Sequence, residues 1–427
     1  MVALSRRRVL LRGTGAIAGV VGLHVLGVGG QGVGVVHAAA PTSAQTNANR
    51  AVSTYNAMQK NFLVQDGTSL YREASPWNGG NKYSYLWEFS RALVATLALA
   101  GVPSNLVGGA NYGAAVQNRI AALANYWDGQ ANPPAYDSYV ISQGGGDKYH
   151  DDNAWISLAL IQQYRMGLTT SLDRVKQLFT FAQAGWDTNP TDPYPGGIFW
   201  VNQGSGFGLT NHDRGTGATA GNAEVGYHLH QLTGSAGYDG DGSVSASPGS
   251  LGAANMVNWT NAHVDVSGTG SGLYWNVVRI DGSIDTNLWS YNQGVMIGAN
   301  VLRYSLTANS AYLSQAIAIA NKALSAYGNF QGQPPSFNAM LFQNMLMLYP
   351  YASGTLQSSI LQTMQAYGDW AWNNTSARNP RTNLFYFNDA GQPAAGTGKA
   401  AQLRDQGAMT QLYALLAWSS TDYGKLS

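Results

Sequence analysis

The 427-residue chain has no cysteine, which excludes disulfides, thiol catalysis and cysteine-ligated metal. Charge is almost as scarce. Only 11% of residues are Asp, Glu, Lys or Arg and the net charge is +1, so no basic footprint for nucleic acid or an anionic membrane surface exists. A continuous apolar run of about 20 residues is also missing, since the stretch at 13–36 is broken repeatedly by glycine. Strand-type alternation is rare. The chain does hold 45% hydrophobic residues, enough for a large core, together with 24 Tyr and 12 Trp against 11 Phe. Tyr and Trp join a flat apolar face to a polar edge. Such surfaces suit a neutral, sugar-like partner.

The sequence "SRRRVLL" at 5–11, followed by a Gly-rich, weakly hydrophobic segment, resembles a twin-arginine export motif. Small residues at Ala38, Ala39, Ala40 and Ala44 provide cleavage sites, so residues 1–44 are expected to be an export signal with a short linker. Residues 45–427 are expected to form one catalytic domain. The tail "STDYGKLS" has no hydrophobic anchoring segment, so a secreted or periplasmic protein without a stable membrane anchor is expected. A monomer is expected as well.

Apolar spacing predicts twelve helices, near 46–63, 83–100, 110–126, 152–167, 170–185, 216–233, 249–263, 289–307, 310–326, 336–349, 355–374 and 404–420. Every second one, beginning with "LWEFSRALVATLALA", is apolar around most of its circumference and reads as an inner helix. Their partners are one-sided. Short connections make consecutive helices antiparallel, so the six inner helices point the same way and open at one end. This is an all-α, (α/α)6 barrel of six helical hairpins. Trp87, Glu88, Asp151, Asp152, Asn222, Tyr291, Asn292, Gln293, Asn338, Arg404, Asp405 and Gln406 are expected at that end. Irregular repeat length argues against an open solenoid. Long loops before inner helices carry Trp200, Tyr274 and Trp275 as candidate stacking platforms.

Asp151 and Asp152 stand together at the start of the fourth helix. One reading is structural, with one aspartate capping the helix and the other meeting its dipole. The other is chemical: glycosidic hydrolysis commonly uses one carboxylic acid and one carboxylate, and a helix start can supply both. A magnesium-diphosphate site of the terpene-cyclase kind would need further acids and a basic cluster, which the sequence does not place nearby. No zinc motif occurs. "DGDGS" at 239–243 lacks the closing acid of a calcium loop, and no cofactor is expected. His150 is a candidate for tuning the pair.

Five motifs now fall in order along the chain: "DDNAW" at 151–155, "PGGIFW" at 195–200, "SYNQG" at 290–294, "AWNN" with "NLFYF" at 371–387, and "RDQGAM" at 404–409. Together they resemble glycoside hydrolase family 76, the α-1,6-mannanase family. That resemblance implies an (α/α)6 barrel, endo-hydrolysis of α-1,6-mannan with retention, Asp151 as nucleophile and Asp152 as acid/base. It also implies that Trp155, Trp200, Tyr291, Asn292 and Gln293 meet the sugar. Asn222, Asp405 and Gln406 are further candidates at the mouth. Around the sixth helix "TNHDRGTGATAGNAEVGYHL" departs from the family pattern, leaving open whether Asn222 and Glu224 bind substrate or orient the helix. Alternatives to hydrolysis are a cell-wall mannan transglycosylase and a secreted glycan-binding protein.

Overall fold

The computed structural model describes residues 43–203, 211–244, 248–270 and 272–427. The expected export signal lies almost wholly outside them. Among the described residues are twelve α-helices: α1 Ser43–Phe62, α2 Leu86–Ala100, α3 Gly113–Leu123, α4 His150–Arg165, α5 Asp173–Ala184, α6 Thr216–Thr233, α7 Ala253–His263, α8 Ser290–Thr307, α9 Ser310–Tyr327, α10 Pro335–Leu348, α11 Gly354–Asn373 and α12 Leu403–Leu415. None of the described helices is long and apolar enough to cross a membrane.

Two kinds of helix alternate. In α9 the buried residues are Ala316, Ile319, Ala320 and Ala323, a single stripe at i, i+3, i+4 and i+7. In α2 burial extends from Glu88 without interruption to Leu99, all the way round the helix. The six helices of the second kind are α2, α4, α6, α8, α10 and α12. Each packs on the next, and α12 packs on α2, so they form the inner ring of the (α/α)6 arrangement. Outer helices cover them, as α5 covers α4 and α9 covers α8.

Two of the outer helices carry side-chain caps. Asn309 accepts the Ala311 N–H at the start of α9, and Ser353 accepts that of Leu356 at the start of α11. All six inner helices start without a side-chain cap. Loops substitute for it: the first N–H of α2 bonds Ser138 O, that of α4 Trp200 O, that of α6 Asn276 O and that of α12 Glu73 O.

The long loops are more ordered than their composition suggests. Antiparallel pairs link Tyr149 to Val201 and Phe199 to Arg214. Arg214 then pairs with Val278, and Val278 with Ile284, so one narrow ladder runs along the mouth between the starts of α4, α6 and α8. A buried Arg214–Asp187 ion pair fastens this ladder to the loop after α5.

Candidate active site

A cavity of about 190 Å³ occupies the N-terminal end of the inner ring. The second residue of every inner helix lines it: Trp87, Asp151, Gly217, Tyr291, Ser336 and Arg404. Two residues further on, about 200° round the helix, the side chain turns away from the cavity and holds a loop. Asn153 accepts the Tyr136 N–H at 2.9 Å and donates to Tyr136 O at 3.1 Å. Gln293 treats Tyr274 the same way, at 2.8 and 3.0 Å. Gln406 accepts from Phe385 N–H, Thr219 accepts from Ile198 N–H, and Asn338 donates to Phe330 O. Five of six inner helices thus use their fourth residue as a pin for incoming backbone.

Asp151 and Asp152 both face the cavity, and neither caps α4, whose cap position is Tyr149. Asp151 is half-buried. Its carboxylate accepts the Trp200 indole N–H at 3.1 Å and the Asp152 backbone N–H at 2.9 Å, both of which favour the anion. The ladder makes this possible, because the Tyr149–Val201 pairing holds Trp200 over the helix start. Asp152 is 2% exposed. Behind it on α2 lies Arg91, equally buried; burial pulls its guanidinium down to about 9, and the negative charge of Asp152 opposes that fall.

Trp155 and Tyr291 form an aromatic floor, meeting edge to face at 6.2 Å. Phe337 adds a third ring 4.4 Å from Tyr291. The small residues of α6 make room for them. A Cβ on Gly217 would lie 2.6 Å from Tyr291, and one on Gly221 would lie 3.1 Å from Trp155. The unusual "GTGATAG" segment is therefore a seat for the floor. Burial, then the charges of Asp151 and Asp285, push the Tyr291 phenol far above its ordinary range, so it stays a neutral hydroxyl, bonded to Asn276 at 3.0 Å.

Asp151, Asp152, Trp155, Trp200 and Tyr291 are thus brought together in one cavity. Asn292, Gln293, Asn222, Asp405 and Gln406 are buried outside its lining. Gln293 and Gln406 are pins. Asn222 donates to the carbonyl of His150 at 3.2 Å, steadying the first residue of the aspartate helix. Asn292 donates to Asn276 at 3.3 Å. Asp405 lies 3.8 Å from the Arg404 guanidinium, and burial raises its carboxyl to about 6, against the pull of Arg404. Glu224 is fully buried partway along α6, and burial raises it well above the ordinary range. His150 stacks on Phe181 at 4.3 Å, away from the aspartates, and burial lowers it to about 4, leaving it neutral. Tyr274 is fully buried and bonds Asn261, so neither it nor Trp275 lines the cavity.

Several lining residues had no prior signal beyond lying on long loops: Asp213, Asn276, Arg279, Asp285 and Asp389. The Arg404–Asp389 ion pair, at 2.6 Å, closes the wall beside α12. Among the described residues no cluster of His, Asp or Glu could hold a metal ion. A larger opening of about 580 Å³ lies behind Phe199, lined by Trp186, Asp187 and His212, but no inner-helix start reaches it.

An inner ring opening onto two adjacent carboxylates and an aromatic floor defines a carbohydrate-active (α/α)6 enzyme. The model of glycosyl hydrolase family 76 matches residues 42–415, and the chain belongs to that family. It is a glycoside hydrolase. Among solved structures, a family 76 α-mannanase of Bacteroides thetaiotaomicron is 19% identical over 87% of this chain and 95% of its own, with a TM-score of 0.70. The α-1,6-mannanase of Salegentibacter sp. HEL1_6, inactivated at two consecutive aspartates and bound to α-1,6-mannotriose, is 16% identical over 87% and 99%, with a TM-score of 0.63. A D-mannose isomerase is 13% identical over 89% and 99%, with a TM-score of 0.58. The fold is therefore shared by different chemistries, and the site must decide between them. No curated protein matches this sequence.

Proposed function

We propose that this protein is an exported endo-α-1,6-mannanase that works with retention. The observation supporting this reading is the adjacent pair Asp151 and Asp152, both facing a cavity floored by Trp155 and Tyr291. Asp151, its carboxylate charge held by two N–H donors, attacks the anomeric carbon while Asp152 gives its proton to the leaving glycosidic oxygen. The C–O bond to the leaving sugar breaks and a glycosyl ester on Asp151 forms. Asp152, now a carboxylate, takes a proton from water, whose oxygen attacks the same carbon and frees Asp151. Two inversions give net retention.

Trp200 aims Asp151 and adds an indole face to the wall; Tyr291, kept neutral, offers a hydroxyl near the attacking carboxylate. The open mouth and its walls of loop are suited to a chain running through rather than to a free monosaccharide.

The test is digestion of linear α-1,6-mannan followed by NMR. Early release of the α-anomer in short oligosaccharides is expected. Release of the β-anomer overturns retention, mannose alone overturns endo action, and isomerised mannose with no hydrolysis overturns the assignment. Products longer than the starting oligosaccharide at high acceptor concentration would identify a transglycosylase instead.

A further inference from the structure

Among the described residues six large apolar side chains are exposed, and the largest is Trp77 at 47%. An indole left in water is ordinarily free to move; this one is held at two points, and the second is itself tied to the catalytic cavity. The Arg72 guanidinium lies over one face at 3.9 Å from the ring centroid. The indole N–H donates to Asn81 O at 3.3 Å. Asn81 in turn donates to the Tyr85 hydroxyl at 2.8 Å, and Tyr85 lines the catalytic cavity.

The loop itself is tied at both ends. Ala74 and Ser75 pair with Gln402 and Ala401, immediately before α12 and its cavity residue Arg404. At the other end Lys82 and Tyr83 both bind Asp66, at 2.9 and 2.8 Å. Trp77 therefore stands on the rim between the starts of α12 and α2. Other exposed aromatics are placed differently: Tyr351 follows the far end of α10, and Tyr194 packs against His263 under α7.

We propose that Trp77 is a stacking platform for a neutral hexosyl unit of the substrate chain lying outside the catalytic cavity. This rests on the mannan reading above and extends it to length preference. One face of the ring is occupied by Arg72, and the guanidinium both immobilises the indole and leaves the opposite face as the accessible one. A rigid aromatic loses little conformational entropy on binding, and a polar sugar edge can bond to Asn81 or Asn78 beside it. The effect is to favour substrates long enough to reach from Asp151 to the rim.

The experiment is calorimetric titration of α-1,6-mannooligosaccharides of increasing length into the full chain carrying Asp151→Asn and Asp152→Asn, with and without Trp77→Ala. Loss of the indole is expected to weaken binding of the longest oligosaccharides about tenfold while the shortest that binds is unaffected. Arg72→Ala, which frees the ring without removing it, should give a smaller loss confined to the same lengths. Equal affinity with and without the indole at every length overturns the platform. A uniform loss at all lengths also overturns it, since that marks a general disturbance of the mouth. If no mannooligosaccharide binds the parent double variant, the substrate reading fails, and the platform with it.

Discussion

The two ends of the inner ring are built from the same six helices and differ in what their polar side chains do. At the mouth the second helical residues face open space, and six carboxylates among the described residues, from helix starts and loops together, line it. Towards the other end polar groups face one another. Gln411 donates to Gln343 at 2.5 Å, Gln343 donates to Gln162 at 3.3 Å and also to Ser427 O, and the Ser427 hydroxyl donates to Leu158 O at 2.6 Å. Only about 30 Å³ remains there. Trp155 lines both spaces and separates them. Amides bonded to amides close a barrel; carboxylates aimed at space prepare it for a ligand.

The contrast is broken most completely at the carboxylates. Asp152→Asn should lower kcat on mannan by about 10²- to 10⁴-fold, the range of general acid–base catalysis. Asp151→Asn should cost at least as much, with far-UV circular dichroism and unfolding midpoint kept near the parent. Retention of more than a tenth of the activity in either would remove that residue from the mechanism.

Removing the partition comes next. Trp155→Ala joins the two spaces and should cost about 3–5 kcal/mol, read from denaturant midpoints. A cost below about 1 kcal/mol would mean the ring collapses freely and that the floor is not preformed.

A smaller effect measures what the mouth costs the fold. Burial raises Asp405 from 3.8 to about 6, so the folded state holds its proton more tightly than the unfolded chain. The stability linked to that proton is complete below the unfolded value and is lost as pH rises to and beyond about 6. Asp405→Asn should therefore gain on the parent between pH 4 and pH 7, by at most about 3 kcal/mol at roughly 1.4 kcal/mol per pH unit. Thermal unfolding at several pH values checks this; a pH-independent difference would place the carboxyl in a better-solvated setting.

The mildest change tests the division within one helix turn. Gln293→Ala removes bonds to Tyr274 and Trp289 and should cost about 1–3 kcal/mol in stability. KM for mannotriose should change by less than twofold, whereas a direct subsite residue would raise KM before it lowered stability.

That division also explains what could be read before the structure. All twelve helices were legible because inner and outer helices bury different fractions of their circumference, as α2 and α9 show. The aspartate pair and its aromatic neighbours were legible as chemistry. The triplets Tyr291–Asn292–Gln293 and Arg404–Asp405–Gln406 were only partly so. Their polar character marks a helix start at the mouth, but neighbouring positions are separated by 100° and serve opposite sides. Tyr291 and Arg404 reach the cavity; Gln293 and Gln406 reach backward to a loop. The loop carboxylates Asp285 and Asp389 were illegible because their placement at the mouth depends on contacts between segments distant in sequence: Arg214 with Val278 brings the hairpin of Asp285 there, and Arg404 holds Asp389.

The pins at the fourth helical position have a consequence for how such sites change over time. Asn153, Thr219, Gln293, Asn338 and Gln406 recognise backbone N–H or C=O groups of a loop, not its side chains. The fastening is indifferent to loop sequence. A wall segment can therefore be exchanged, lengthened or recoded while its attachment to the barrel persists, provided one peptide unit still docks. The barrel behaves as a rack with standard fittings, and specificity can drift in the loops without the catalytic pair having to move.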